Sequence, residues 1–85
     1  MPSGPQPVYA VESRASRERY AAASHLALMR ASSMRLPPPL PEHNELVQNQ
    51  GEWRAAWWPF ATLADAERAR VMLAGRGLKV EVVEL

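Results

Sequence analysis

The sequence predicts an α+β domain of the ferredoxin-like split βαβ type. Two long segments carry apolar residues at helical spacing, and a short β-prone run stands on either side of each segment. The resulting order β-α-β-β-α-β is typical of a four-stranded antiparallel sheet with both helices on one face. A chain of 85 residues has room for a single domain, which we place at 7–85 after a flexible N-terminus at 1–6.

The first half of the chain contains one predicted strand and one predicted helix. The strand covers 7–12, where a proline precedes valine and tyrosine. The helix covers 14–33, which has neither Gly nor Pro, and the hydroxyl of Ser13 or Ser16 is available to cap it. One face of this helix carries three apolar residues at helical spacing: Ala22, Leu26 and Met29.

A proline-rich connector and a hairpin follow. Residues 36–41 include four prolines, which remove backbone donors and predict a stiff polyproline II segment. Residues 45–48 and 52–58 are the predicted hairpin strands, joined by turn residues at 49–51. We expect Pro59 to end the second of these strands.

The last part of the chain predicts a helix and a strand. Thr62 is a suitable cap for a helix at 62–75, and Asp65 lies three residues further on. Its buried face is expected to hold Ala66, Ala69 and Leu73. Gly77 supplies the positive φ that ends a helix, and a strand follows at 78–84.

Composition limits the class of protein. The formal net charge is +1, and the absence of cysteine excludes disulfides and thiolate chemistry. The N-terminus shows no signal-peptide pattern and no apolar run approaches the ~20 residues that span a bilayer, so we predict a cytoplasmic protein without a membrane segment. Nine Arg against one Lys, with many Ala, suggest a bacterial source.

No pattern of catalytic residues is found. His25 and His43 have no metal-ligand spacing, and the chain contains no nucleophile elbow, phosphate-binding loop or dinucleotide fingerprint. We therefore expect no enzymatic activity, no metal and no cofactor.

The second half of the chain, 53–85, resembles the SPOR (sporulation-related repeat) domain family. The shared features are Pro-Phe at 59–60, the phase of the following helix, Leu73 with Gly77, and the valine-rich terminal strand. The resemblance implies a ferredoxin-like fold and, in many members, binding of peptidoglycan glycan strands on the exposed sheet. Because the chain shows neither signal nor anchor, we keep the fold and rank the glycan below a protein ligand.

The three tryptophans of the 52–58 strand are the main candidates for a binding surface. By strand alternation and the resemblance, Trp53 and Trp57 face the helices, whereas Arg54 and Trp58 lie on the open face of the sheet. The alternatives are that all three indoles belong to the core or are covered by a second copy. The candidate binding residues are Tyr9, Trp53, Arg54, Trp57 and Trp58.

These residues predict a non-enzymatic binding module. A protein partner or a homodimer is the preferred ligand, bound through the Trp-rich strand and open sheet face. The alternatives are a peptidoglycan-binding SPOR domain and a phage- or plasmid-encoded inhibitor of a host enzyme. RNA binding through Tyr9, Arg54, Trp58 and Phe60 ranks lower, because Pro59 interrupts the strand and the net charge is near zero.

Overall fold

The computed structural model describes residues 7–38 and 40–85, so the predicted flexible N-terminus at 1–6 and Pro39 of the connector lie outside the described residues. Two helices and four strands follow the predicted order. They are β1 (Tyr9–Ser13), α1 (Arg19–Ser33), β2 (His43–Asn49), β3 (Glu52–Phe60), α2 (Leu63–Gly75) and β4 (Val80–Glu84).

The sheet has the strand order β2-β3-β1-β4, with antiparallel pairing throughout. β3 lies between β1 and β2, and β1 lies between β3 and β4, so each β-α-β unit is split by a strand of the other. Both helices pack on one face of this sheet, where the core lies. The predicted ferredoxin-like split βαβ fold is therefore confirmed.

The core forms between the helices and the inward face of the sheet. Trp57 is its largest fully buried side chain, and its ring meets Phe60 edge to face at 5.1 Å between centroids. The predicted helix faces are confirmed, because every member is buried: Ala22, Leu26 and Met29 in α1, and Ala66, Ala69 and Leu73 in α2.

The start of α1 differs from the prediction by five residues. The helix begins at Arg19, with Glu18 as its N-cap, and the Ser16 hydroxyl accepts a hydrogen bond from the Glu18 N–H at 3.0 Å just before it. The Ser13 hydroxyl accepts a hydrogen bond from the Ala55 N–H at 2.9 Å. Ser16 exchanges two backbone hydrogen bonds with Trp53, at 2.8 and 2.7 Å, so the chain runs along β3 before the helix starts.

The hairpin is longer than predicted in both strands. β2 extends two residues beyond the predicted start, and β3 continues through Pro59 to Phe60 rather than ending before it. On one side of β3, pairing with β2 ends at Trp58, and on the other side the register with β1 shifts at the same level. Pro59 is tolerated there because no ladder hydrogen bond requires an N–H at this position. Gln50 and Gly51 both have positive φ, as a two-residue hairpin turn requires.

The two ends of α2 follow the prediction. The Thr62 hydroxyl accepts a hydrogen bond from the Asp65 N–H at 3.1 Å. At the other end the Leu78 N–H donates to the Leu73 carbonyl at 2.9 Å, and the Gly77 N–H donates to the Ala74 carbonyl at 3.0 Å. This is the Schellman pair of bonds, and Gly77 has the positive φ of 90° that it needs.

Gly77→Ala is expected to lower the free energy of unfolding by about 1–2 kcal/mol, because a Cβ is disfavoured at positive φ even where space is open. Gly75→Ala is the matched control. Gly75 is helical and a Cβ there meets no atom within 4 Å, so this change should be neutral or stabilise by up to about 1 kcal/mol. Urea unfolding followed by circular dichroism measures both, and equal midpoints for the two variants would contradict the assigned helix end.

Candidate binding surface on the open face of the sheet

One face of the sheet carries the core and the other carries no helix among residues 7–38 and 40–85. Residues directly paired across antiparallel strands point to the same face, so the register assigns each side chain. Val11, Ala55 and Trp57 face the helices, and their sequence neighbours face the other way. We call this second surface the open face.

The open face is ordered in rows that run across the strands. An acidic row follows directly from the pairing and consists of Glu45, Ala56, Glu12 and Glu81. An aromatic row lies on one side of it, with His43 paired to Trp58 on β2 and β3, and Ala10 paired to Val83 on β1 and β4. On the other side lies Arg54, paired to Val47.

The aromatic end of the face is built by a cross-strand pair. The rings of His43 and Trp58 stack with 5.1 Å between centroids and 26° between planes. The Nδ1 atom of His43 lies 3.3 Å from a carboxylate oxygen of Glu45, in the next row. The pair fixes the indole of Trp58, which is half-buried and leaves part of its ring surface accessible.

Two alanines form the floor of the open face. Ala10 and Ala56 are each only 2 % exposed, although neither belongs to the core cluster on the helix side. On β3, Ala56 lies between Arg54 and Trp58, whose longer side chains project from the same face. A ligand lying along the sheet would therefore meet a shallow surface with an indole on one side and charged groups on the other.

The charged groups next to the floor alternate in sign. A guanidinium nitrogen of Arg54 lies 3.8 Å from a carboxylate oxygen of Glu12, and both side chains are partly exposed. Glu45 is 58 % exposed in its side chain and reaches solvent. The open face thus offers hydrogen-bond acceptors and donors close to an aromatic ring, which suits recognition of a polar ligand with apolar patches.

The five predicted site residues do not lie together. Arg54 and Trp58 lie on the open face, as predicted from strand alternation. Trp57 is 1 % exposed within the core, so it is not part of an accessible surface. Trp53 faces the helix side, half-buried under the guanidinium of Arg19 at 5.4 Å from the ring centroid, and Tyr9 packs against the core.

This placement also separates the residues considered for RNA. Tyr9 pairs with the buried Phe60 on the helix side, away from Trp58 and Arg54. A base-stacking platform made of all four is therefore not formed. His43, Glu12 and Glu45 are not among the residues predicted from the sequence, but the register brings them beside Trp58 and Arg54. For the two on β2, extending the strand alternation outward from the hairpin turn is a signal that places them on this face.

Among the described residues no helix is long and apolar enough to cross a membrane. Nor do residues 7–38 and 40–85 contain a group of three His, Asp or Glu side chains placed to hold a metal ion.

No protein-family model matches the chain, and no curated protein matches it significantly in sequence. Among solved structures, the chain is similar to the solution structure of the peptidoglycan binding domain of the B. subtilis cell wall lytic enzyme CwlC. The TM-score is 0.74, the sequence identity is 13%, and the match covers 100% of this chain and 98% of that one. The likeness shows that the two chains share a fold, one that is SPOR-like with a sheet and two helices.

Proposed function

We propose that this chain is a non-enzymatic binding module of the SPOR type, which holds a glycan strand of peptidoglycan on its open face. One observation carries the proposal: the face that the fold leaves uncovered presents a fixed, partly accessible indole at Trp58 beside charged side chains. Full-length structural similarity to a peptidoglycan binding domain supports the choice of ligand.

The chemistry of the open face fits a sugar polymer. The C–H face of a sugar ring packs on an indole, and Trp58 is held for this contact by His43. The hydroxyl and acetamido groups of the sugars both donate and accept hydrogen bonds. Glu12 and Glu45 supply acceptors and Arg54 supplies donors along the same face.

This proposal reverses the ranking drawn from the sequence, which placed a protein partner first. Three exposed indoles on one strand would form a large apolar patch, which is typical of a protein interface. Trp57 is instead fully buried and Trp53 is covered in part by Arg19, so the helical layer accommodates two of the three. The remaining Trp58 is one aromatic group on a mixed polar face, which suits a sugar better than a large apolar protein interface.

Co-sedimentation with purified sacculi tests the proposal. We expect the protein to enter the pellet with sacculi and to return to the supernatant after the glycan is digested with a muramidase. Bovine serum albumin serves as a non-binding control. A protein that stays in the supernatant at every sacculus concentration, under conditions where it remains folded by circular dichroism, would rule the function out.

Peptidoglycan lies outside the cytoplasmic membrane. A protein that binds it in the cell therefore cannot have the cytoplasmic location predicted from the sequence. Fractionation of cells producing the untagged chain from its own gene decides between the two locations. Recovery with the cell envelope or periplasm agrees with glycan binding. Recovery only in the cytosol would contradict glycan binding and favour a protein ligand.

A second copy of the chain is the alternative ligand for the same face. The observation that favours it is the position of the acidic row next to Arg54. In a dimer with two-fold symmetry, the acidic row of each copy can face Arg54 of the other copy. Sedimentation equilibrium at low and high salt measures this directly. A dimer that weakens with salt would support self-association, and a monomer at both salt concentrations would exclude it.

A further inference from the structure

A shallow, open pocket lies at the end of the open face opposite Trp58. Three of its lining residues are cations, and one is an anion. The lining consists of Arg14, Ala15, Arg54, Lys79, Val80 and Glu81. Its basic character contrasts with a formal net charge of only +1 for the whole chain.

The three cations lie together because of the strand register. β1 pairs Glu12 with Ala56 on one side and with Glu81 on the other. Continued two residues further, just past the ends of β1 and β4, the same alignment places Arg14 between Arg54 and Lys79, and all three line the same pocket. Like charges next to each other across strands repel, which is unfavourable for a sheet without an anion between them.

Among the described residues, ion pairs compensate only one of these three cations, because Glu81 lines the pocket without pairing with any of them. Arg54 has a single carboxylate, that of Glu12, at the long distance of 3.8 Å. Within the described part of the chain, neither Arg14 nor Lys79 makes an ion pair, and both are exposed. Two of the three cations are therefore available to a ligand.

The loop that carries Arg14 is fixed in place. Immediately before it, the buried hydroxyl of Ser13 accepts the Ala55 N–H, and two residues after it Ser16 exchanges two backbone hydrogen bonds with Trp53. The backbone of Arg14 is thus tied to β3 on both sides. A cation held on a fixed loop loses less conformational entropy on binding an anion than one on a free loop.

We propose that this pocket is an anion-binding subsite that takes a carboxylate or phosphate group of the polymer bound on the open face. Arg side chains bind both groups through paired N–H donors, and Lys79 adds a point charge. Arg54 lies four residues from Trp58 on β3, so the two ends of the face are about 13 Å apart. The polymer part of this inference rests on the proposed function, whereas the anion site itself does not.

Titration of the ¹⁵N-labelled protein with inorganic phosphate, and separately with acetate, tests the anion site without any glycan. We expect saturable shifts of the amide signals of Arg14, Ala15 and Val80, and their loss in the double variant Arg14→Gln/Lys79→Gln. The control is Arg35→Gln/Arg68→Gln, which removes the same charge from exposed positions elsewhere. Linear, non-saturating shifts in the wild type would overturn the proposal.

The same variants in the sacculus assay test the link to the polymer. We expect Arg14→Gln/Lys79→Gln to bind sacculi about three- to tenfold more weakly than its charge-matched control. If removal of wall phosphates with hydrofluoric acid leaves this difference intact, the anion is a carboxylate of the peptidoglycan; if it removes the difference, the anion is a phosphate. Equal binding of the two double variants would overturn the polymer part. Saturable phosphate binding without sacculus binding would support the anion site and contradict the proposed function.

Discussion

Replacing Trp57 with alanine should lower the free energy of unfolding by about 3–5 kcal/mol, the largest effect we expect from a single substitution in this chain. The indole is 1 % exposed, and its edge-to-face contact with Phe60 is lost with it. At roughly 0.05–0.15 kcal/mol per residue, a domain of 85 residues has only about 4–13 kcal/mol in total. This loss is a large fraction of that total, so the variant should unfold at a much lower urea concentration than the wild type.

Urea unfolding followed by far-ultraviolet circular dichroism measures this loss, since a tryptophan fluorescence signal would change with the substitution itself. Trp58→Ala is the matched control, because it removes the same side chain from the next position of β3, where the indole is half-buried. We expect it to shift the midpoint much less. Equal losses of stability in the two variants would mean that Trp57 and Trp58 do not face opposite sides of the sheet.

The parts of the fold that depend on local chemistry could be predicted from the sequence. Thr62 with Asp65 and Gly77 with Leu78 form complete end signals for α2, and the structure places both as expected. The start of α1 could not be predicted in this way. The hydroxyl of Ser16 does accept the Glu18 N–H, but its backbone is also paired to Trp53, a residue 37 positions later in the chain. No local pattern reports that pairing, which keeps Ser16 out of the helix.

Of the residues on the open face, only those on β3 are predicted from the sequence. Strand alternation within β3 is enough to place Arg54 and Trp58 on one face. Their partners come from β1 and β2, and require the register between strands. The hairpin turn fixes the register to β2, which gives the stack of His43 on Trp58, but the register to β1 depends on the irregularity opposite Pro59. The basic pocket depends on both β1 pairings, which is why the sequence did not reveal it.

Trp58→Ala should weaken binding to sacculi by about five- to 140-fold while the domain stays folded. Loss of an aromatic stacking partner costs about 1–3 kcal/mol, and every 1.4 kcal/mol corresponds to a factor of ten in affinity. The fold should tolerate the change, because Trp58 lies outside the core cluster and stacks on the partly exposed ring of His43. Dissociation constants come from sedimentation over a series of sacculus concentrations, with circular dichroism as the check on folding.

Tyr20→Ala is the control for the loss of an exposed aromatic group, since Tyr20 is 73% exposed on α1, on the helix side of the sheet. Its affinity for sacculi should equal that of the wild type. If Trp58→Ala remains folded and binds as tightly as the wild type, the ligand does not lie on the open face. If instead Tyr20→Ala loses binding and Trp58→Ala does not, the helical layer is the binding surface. Loss in Trp58→Ala alone would show that the uncovered face of the sheet is where this domain recognises its polymer.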